Sequence, residues 1–304
     1  MERRQVLGTL AGLGSMLMMN TAVHGAQKGK PVFGHTDPSR YKGLSNAHGG
    51  AGTIPFMELL TYEPFETNFL FVHRAELPPE TGIGEHIHRN MEEMYFIFNG
   101  TAQFTVNGRT AELAGGCCVL CPLGSSHGIY NHTDETLQWL NVAVSMVKGK
   151  GDAIDFKDDL TNARVESPPP FLWAPLDRRL LKPAAQAHGG KGSILFKRLW
   201  ANDSFKTTWE FVDHCVLPPG TSIGYHQHNA IEEIYYLVSG RGKITVNDVT
   251  WDVGPGDATP CTLHDSHGLY NSGSEDILLV VNSCASKGKG VYDVNNWGDD
   301  LSNR

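Results

Sequence analysis
Helical periodicity is weak along almost the whole chain, and the apolar residues fall in short runs separated by Gly, Pro, Asn and Asp, the pattern of β-strands joined by tight turns. Phe104-Thr105-Val106, then Asn107-Gly108, then a further run is a strong hairpin signal, and Val246-Asn247-Asp248 repeats it later in the chain. The repetition is general. FVHRAELPPETGIGEHIHRNMEEMYFIFNG at 71–100 returns as FVDHCVLPPGTSIGYHQHNAIEEIYYLVSG at 211–240, an offset of 140 residues. The same offset relates Ala47-His48-Gly49-Gly50 to Ala187-His188-Gly189-Gly190 and Gly116–Asn131 to Gly256–Asn271. Near the ends the register slips, Lys148-Gly149-Lys150-Gly151 standing against Lys287-Gly288-Lys289-Gly290, and both copies close with Asp-Asp-Leu. Two copies of about eight short strands each hide their edges best as two tandem jelly-roll barrels, so the chain is expected to be all-β.

A length of 304 residues suits two domains, each with its own core. Ser167-Pro168-Pro169-Pro170 cannot join a central strand and reads as the linker. The expected division is an export signal over 1–26, a first barrel over 27–166 and a second over 167–304. In the signal, Arg3-Arg4 precede an apolar stretch from Val6 to Met19 and small residues ending at Ala26, a pattern similar to twin-arginine export and hence to a bacterial periplasmic location. The apolar run is short for a membrane span, and no membrane association is expected after processing. A net charge of −8, without a run of Lys or Arg beyond the amino terminus, gives no footprint for a phosphate backbone, so nucleic acid is not an expected partner. The six cysteines lack the spacing of a disulfide framework. Cys117, Cys118 and Cys121 could form a zinc knuckle, but they lie in a predicted strand whose alternate side chains diverge, which favours buried thiols in a barrel wall.

Chemistry concentrates at eight positions. His86 and His88 flank one residue of a predicted strand, so both imidazoles project to the same face. Glu93 opens the next strand and His127 arrives on a later hairpin, while the second copy supplies His226, His228, Glu233 and His267. Three imidazoles and a carboxylate are a mixed nitrogen and oxygen set that suits a divalent transition metal, Mn, Fe, Co, Ni, Cu or Zn, rather than Ca or Mg. One such ion per barrel is the expected cofactor, with two positions of an octahedral ion left open for substrate, water or dioxygen.

These residues carry a resemblance. Gly84-Glu85-His86-Ile87-His88, Glu93 and Gly100 match the first motif of the cupin superfamily, and Gly116, Pro122-Leu123-Gly124, His127 and Asn131 match the second. The chain therefore resembles a bicupin, and the resemblance implies double-stranded β-helix barrels with a metal near one mouth. Glu80 stands where copy two has Gly220, and Thr262 and His264 stand where copy one has Pro122 and Gly124. Glu92 and Glu232, beside the expected ligands, face the other side of their strands and are assigned a supporting or surface role. His48 and His188 are either strand-end structure or groups at the pocket rim. Phe96, Phe98, Tyr235 and Tyr236 are candidate pocket residues.

The resemblance implies a metal-dependent enzyme acting on a small organic substrate, an oxygenase using O2 in the first instance. A non-oxidative lyase, decarboxylase or isomerase and a non-catalytic sugar-binding bicupin are the alternatives, and a homo-oligomer is compatible with each. Ile83 and Ile223 occupy the place where oxalate decarboxylases carry an oxalate-binding Arg, which speaks against oxalate. His264, followed by Asp265 and matched by no histidine in copy one, is either a turn residue at the barrel rim or a catalytic acid or base, and in the second role it marks the second site as the expected seat of chemistry.

Overall fold
The structure, a computed structural model, describes residues 33–304, so the expected export signal lies outside the described residues. No described helix is long and apolar enough to cross a membrane. Among the described residues the regular structure is β-strand with five short 3-10 turns. Each repeat folds into a pair of sheets. In the first, a seven-stranded sheet is centred on Met91–Ile97, Leu137–Ser145 and Phe69–Leu77, and a six-stranded sheet on Gly82–Ile87, Ser126–Tyr130 and Thr101–Val106. In the second, the corresponding sheets are centred on Ile231–Ser239, Ile277–Ala285 and Trp209–Leu217, and on Ser222–Gln227, Ser266–Tyr270 and Gly242–Val246. The hairpin at Asn107-Gly108 forms as expected, with Val106 paired to Arg109 and both turn residues at positive φ, the backbone its residue types favour.

The two repeats exchange strands. Gly34–His35 pairs with Asp257–Cys261 of the second repeat, and Trp173–Pro175, beyond the proline-rich linker, pairs with Cys117–Cys121 of the first. These cysteines are buried wall residues without disulfides, and burial pushes the Cys117 thiol up to about 12.

Two barrels predict two cores, and the structure adds a third large one beside a small cluster of Leu70, Met91 and Ala143. Tyr95, Ile97, Phe104 and Trp139 fill the first barrel, and Tyr235, Leu237, Ile244 and Leu279 fill the second. A separate cluster joins Met94, Phe96, Leu120 and Val142 of the first repeat to Ile234, Tyr236, Ala258 and Val280 of the second. The two seven-stranded sheets thus pack by their outer faces. This explains why Met91–Ile97 is buried at every position: alternate side chains serve the barrel interior and the partner barrel. Phe96 and Tyr236, candidate pocket residues by sequence, belong to this interface, with the Tyr236 ring stacked on Phe98 at 5.7 Å. Strand alternation from Glu93 and Glu233 dictates the difference, since it turns Tyr95 and Tyr235 inward and their neighbours outward.

The same alternation sends Glu92 and Glu232 away from their barrels, yet neither reaches water. Glu92 is fully buried and accepts hydrogen bonds from the backbone N–H of Lys206 and Thr207 and from the Thr207 hydroxyl, at 2.7–3.1 Å. Glu232 reciprocates, accepting from the N–H of Glu66 and Thr67, both at 2.9 Å, and from the Thr67 hydroxyl. Each carboxylate also takes one N–H from its own repeat, Leu123 or Leu263, at 3.2 Å. A surface role is thereby replaced by a pair of reciprocal clasps across the interface. Charge-assisted bonds of this kind contribute about 1.5–3 kcal/mol each, and removing the acceptor strands buried donors. Glu92→Ala is expected to lower the free energy of unfolding by about 2–4 kcal/mol while leaving bound metal unchanged, as measured by denaturant titration and elemental analysis.

Candidate metal centres and their cavities
The ligand-type residues converge as their spacing predicts. His86, His88, Glu93 and His127 form one buried group and His226, His228, Glu233 and His267 the other, with the candidate ligand atoms of each group within 4.8 Å of one another. The ladder does the positioning. His127 on Ser126–Tyr130 pairs directly with His86 on Gly82–Ile87, and His267 pairs with His226 in the same way. Glu93 closes the group from the opposite sheet, its Oε2 2.6 Å from His127 Nε2 and 3.5 Å from His88 Nε2.

Each imidazole is held by its far nitrogen. His86 Nδ1 lies 2.8 Å from the Gly84 carbonyl, His127 Nδ1 3.4 Å from the Ser125 carbonyl, and His88 Nδ1 bonds the Asp152 carbonyl. His226, His267 and His228 repeat the arrangement on Gly224, Asp265 and Asp293. A carbonyl only accepts, so Nδ1 carries the proton and the Nε2 lone pair points to the centre of the group. The Asp152 carboxylate additionally accepts from the N–H groups of Arg89 and Asn90, fixing the turn that follows His88.

Charge is shared unevenly within the group: burial would lower the His88 pKa, but Glu93 overcomes it and raises it. Burial, reinforced by His127, drives the His86 pKa down to about 2, so this ring is neutral. Burial alone would raise Glu93, but His88 and then His127 overcome it and hold the carboxyl well below the usual range. Glu233, under the same influences from His228 and His267, is held at about 2. Nε2 of His88, His226 and His228 is buried without a hydrogen-bond partner. Orphaned acceptors beside an ionised carboxylate are costly unless a cation completes them, so the residues fit a divalent transition metal in each barrel.

The rim joins the site. The Ala47–Gly49 turn lays the His48 ring on His86, nearly parallel at a centroid distance of 3.8 Å, and His188 stacks on His226 at 4.0 Å. Both of the roles open to these residues are therefore realised, turn structure and pocket rim. The approach needs bare backbone: a Cβ on Gly84 would sit 2.4 Å from the His48 carbonyl oxygen.

His264 is not brought to the second group. It is exposed in a turn at φ +66°, where copy one places Gly124 at +78°, and the N–H of each bonds the carbonyl of the second ligand histidine, His228 or His88, at 2.9 Å. Its Nδ1 lies 3.0 Å from Asn229 Oδ1 on the outer surface. Asp265, its expected partner, instead accepts from Thr262 and Asn247. A left-handed turn that closes the hairpin directs the side chain out, and the acid–base role expected of His264 has no geometric support.

The two cavities differ where the ligands do not. The first encloses about 630 Å³ and the second about 260 Å³. Between the segments equivalent to Gly151 and Asp152, the second copy inserts Val291 and Tyr292, and Tyr292 lines the smaller cavity with its ring centroid 5.4 Å from that of His228. This insertion follows the slipped Lys287-Gly288-Lys289-Gly290 and carries the offset between the copies from 139 to 141 before the closing Asp-Asp-Leu. In the first cavity Asn141 donates to Glu93 Oε1 at 2.9 Å, and Val281 stands in its place in the second. Asn141, Tyr292 and the supporting Asp152 and Asp293 were not found from sequence, because nothing in spacing distinguishes them from other wall and loop residues.

Comparison with known proteins agrees with this geometry. The Cupin domain family matches residues 73–143 and 213–282. An oxalate-binding protein from Thermotoga maritima is 31% identical over 101 residues, which cover 33% of this chain and 84% of that protein. Among solved structures, oxalate decarboxylase from Bacillus subtilis superposes with a TM-score of 0.60 at 17% identity, covering 88% of this chain and 79% of that one. Salicylate 1,2-dioxygenase from Pseudoaminobacter salicylatoxidans gives 0.60 at 17% identity, covering 75% and 73%.

Because no ligand residue is shared between barrels, the centres are expected to load separately. Changing His86 and His88 together to Ala should remove about one metal ion per chain and leave the other in place, whereas loss of both by elemental analysis would show that the sites depend on each other.

Proposed function
Since the chain belongs to the cupin family and carries two complete metal-binding groups, we propose that it is a metal-dependent enzyme that converts a small organic molecule in its first cavity, with oxygenase chemistry as the leading reaction. The observation that carries this reading is the room beside the first group: about 630 Å³ of cavity, open to solvent and lined by His86, His88 and Glu93, is the size of a small-molecule site. When bound, a divalent metal supplies Lewis acidity and, if redox-active, a route for electrons to O2. The protein's own contribution is positional. His48 covers one face of the His86 ring, Asn141 orients the Glu93 carboxylate, and the apolar walls Ile54, Phe56 and Tyr95 limit water around a bound substrate.

On this reading the chemistry lies in the first barrel rather than the second, where it was expected from His264. Tyr292 narrows the second cavity, and Arg198 and Asp213 neutralise each other there through two bonds of 2.9 Å, so that centre is assigned a structural or ligand-holding role. The reading includes export to the bacterial periplasm, which rests on Arg3-Arg4 and the apolar run after them.

Oxygen uptake and carbon dioxide release, followed together over a panel of phenols, diketones and hydroxy acids, test the reaction class. Uptake with a matching substrate supports the oxygenase, and carbon dioxide release without uptake replaces it with a decarboxylase. Turnover should fall by at least about 10³-fold in His86→Ala/His88→Ala and by less than about threefold in His226→Ala/His228→Ala. The opposite result would return the chemistry to the second barrel.

A further inference from the structure
At equivalent ladder positions the two cavities carry opposite chemistry. In the first barrel Glu58 pairs with His73 and His73 with Asn141 across three strands. In the second the same row reads Arg198, Asp213 and Val281. That second row is self-satisfied, since Arg198 grips Asp213 and lies 4.0 Å from the centre of the Phe211 ring. The first is not. His73 Nε2 lies 3.6 Å from Glu58 Oε2, and among the described residues no hydrogen bond engages His73 Nδ1. The His73 ring is stacked on Phe71 at 3.8 Å and meets the edge of Phe56 at 4.9 Å, so its plane is fixed. Both residues of the pair line the cavity that holds His86, His88 and Glu93. No Lys or Arg lines it, whereas Glu58, Glu63, Glu93 and Asp152 do.

We propose that the Glu58–His73 pair is a hydroxyl-recognition subsite, and that the first cavity selects a neutral, planar, hydroxyl-bearing molecule and rejects carboxylates. A half-exposed carboxylate beside a fixed imidazole offers acceptors to an O–H group and, through the ring, a donor or acceptor to a second. Phe56, Phe71 and Tyr62 supply flat apolar walls for a ring. Away from the metal group a carboxylate would meet Glu58 and Glu63 with no lysine or arginine in the lining, an unfavourable field in a partly enclosed site. The subsite rests on the enzymatic reading for its purpose, since it places a substrate beside the metal group, but recognition is measurable without turnover.

Titration calorimetry of the metal-loaded full chain with hydroquinone and with benzoate decides the matter. Hydroquinone is a neutral diol that cannot chelate through adjacent oxygens, and benzoate is a planar anion of similar size. Hydroquinone should bind at least about tenfold more tightly than benzoate. Glu58→Gln and His73→Phe should each weaken hydroquinone by about tenfold, the loss of one hydrogen bond to a charged or polar partner, with metal content unchanged. Arg198→Gln should leave hydroquinone binding unaltered. Hydroquinone affinity untouched in both first-cavity variants, or benzoate binding as tightly as hydroquinone, would overturn the proposal. Should His73→Phe fold poorly, Glu58→Gln decides alone, because its side chain is 48% exposed. A chain that shows the predicted binding but no turnover of any substrate keeps the subsite and loses the enzyme. Turnover with binding insensitive to both substitutions does the reverse.

Discussion
Three imidazoles can present their Nε2 lone pairs to one point only if each surrenders Nδ1 to an acceptor elsewhere, and here every acceptor is a backbone carbonyl. Gly84, Ser125 and Asp152 perform this in the first barrel, Gly224, Asp265 and Asp293 in the second. Backbone acceptors tie ligand geometry to the fold itself, because they move only if the strands move. The direct pairing of His86 with His127 then fixes two of the three rings by ladder register. A slip of one residue would turn both out of the barrel. The glycine-rich Ala47–Gly49 segment depends on the same geometry, reaching the ligand strand at a distance that no Cβ at Gly50 or Gly84 would allow.

That register has consequences for assembly of the two repeats. Placing Glu93 inward commits Glu92, Met94 and Phe96 to the outer face, and this face would be an apolar patch on a lone barrel. The second repeat makes the same commitment with Glu232, Ile234 and Tyr236. Each barrel covers the other's outer face, and the carboxylates find backbone donors in the loops at 66–67 and 206–207. Strand exchange at Gly34–His35 and Trp173–Pro175 ties the two further. Duplication thus solves the burial problem that the metal register creates.

Duplication also frees the copies to diverge away from the ligands. Keeping all four ligand types in both barrels, the chain varies the wall: Glu58 against Arg198, His73 against Asp213, Asn141 against Val281, and an inserted Tyr292. Cavity volume and charge therefore differ more than metal affinity should. A room of about 630 Å³ with acidic lining and one of about 260 Å³ with a closed ion pair are different chemical environments around similar centres.

The sequence by itself determined the parts governed by short-range periodicity. Strand alternation put His86 and His88 on one face and set Glu92 and Glu93 on opposite faces, the resemblance to the first cupin motif chose Glu93 between them, the Asn107-Gly108 turn set its hairpin, and the repeat announced two barrels. Tertiary structure decided whatever depends on what lies across a gap. Glu92 is outward in either case, but only the opposing loop at 206–207 makes it a buried clasp rather than a surface residue. His264 has the right chemistry and the right distance along the chain from His267, yet a left-handed turn, not the sequence distance, sets its direction, and it points away. Glu58 and His73, separated by a hairpin, read as ordinary polar residues of two strands until the ladder sets them opposite each other inside the first cavity. Periodicity fixes which side of a strand a residue takes, whereas the identity of its neighbours is set by pairing between segments far apart in the chain, and the chemistry of a site belongs to the neighbours.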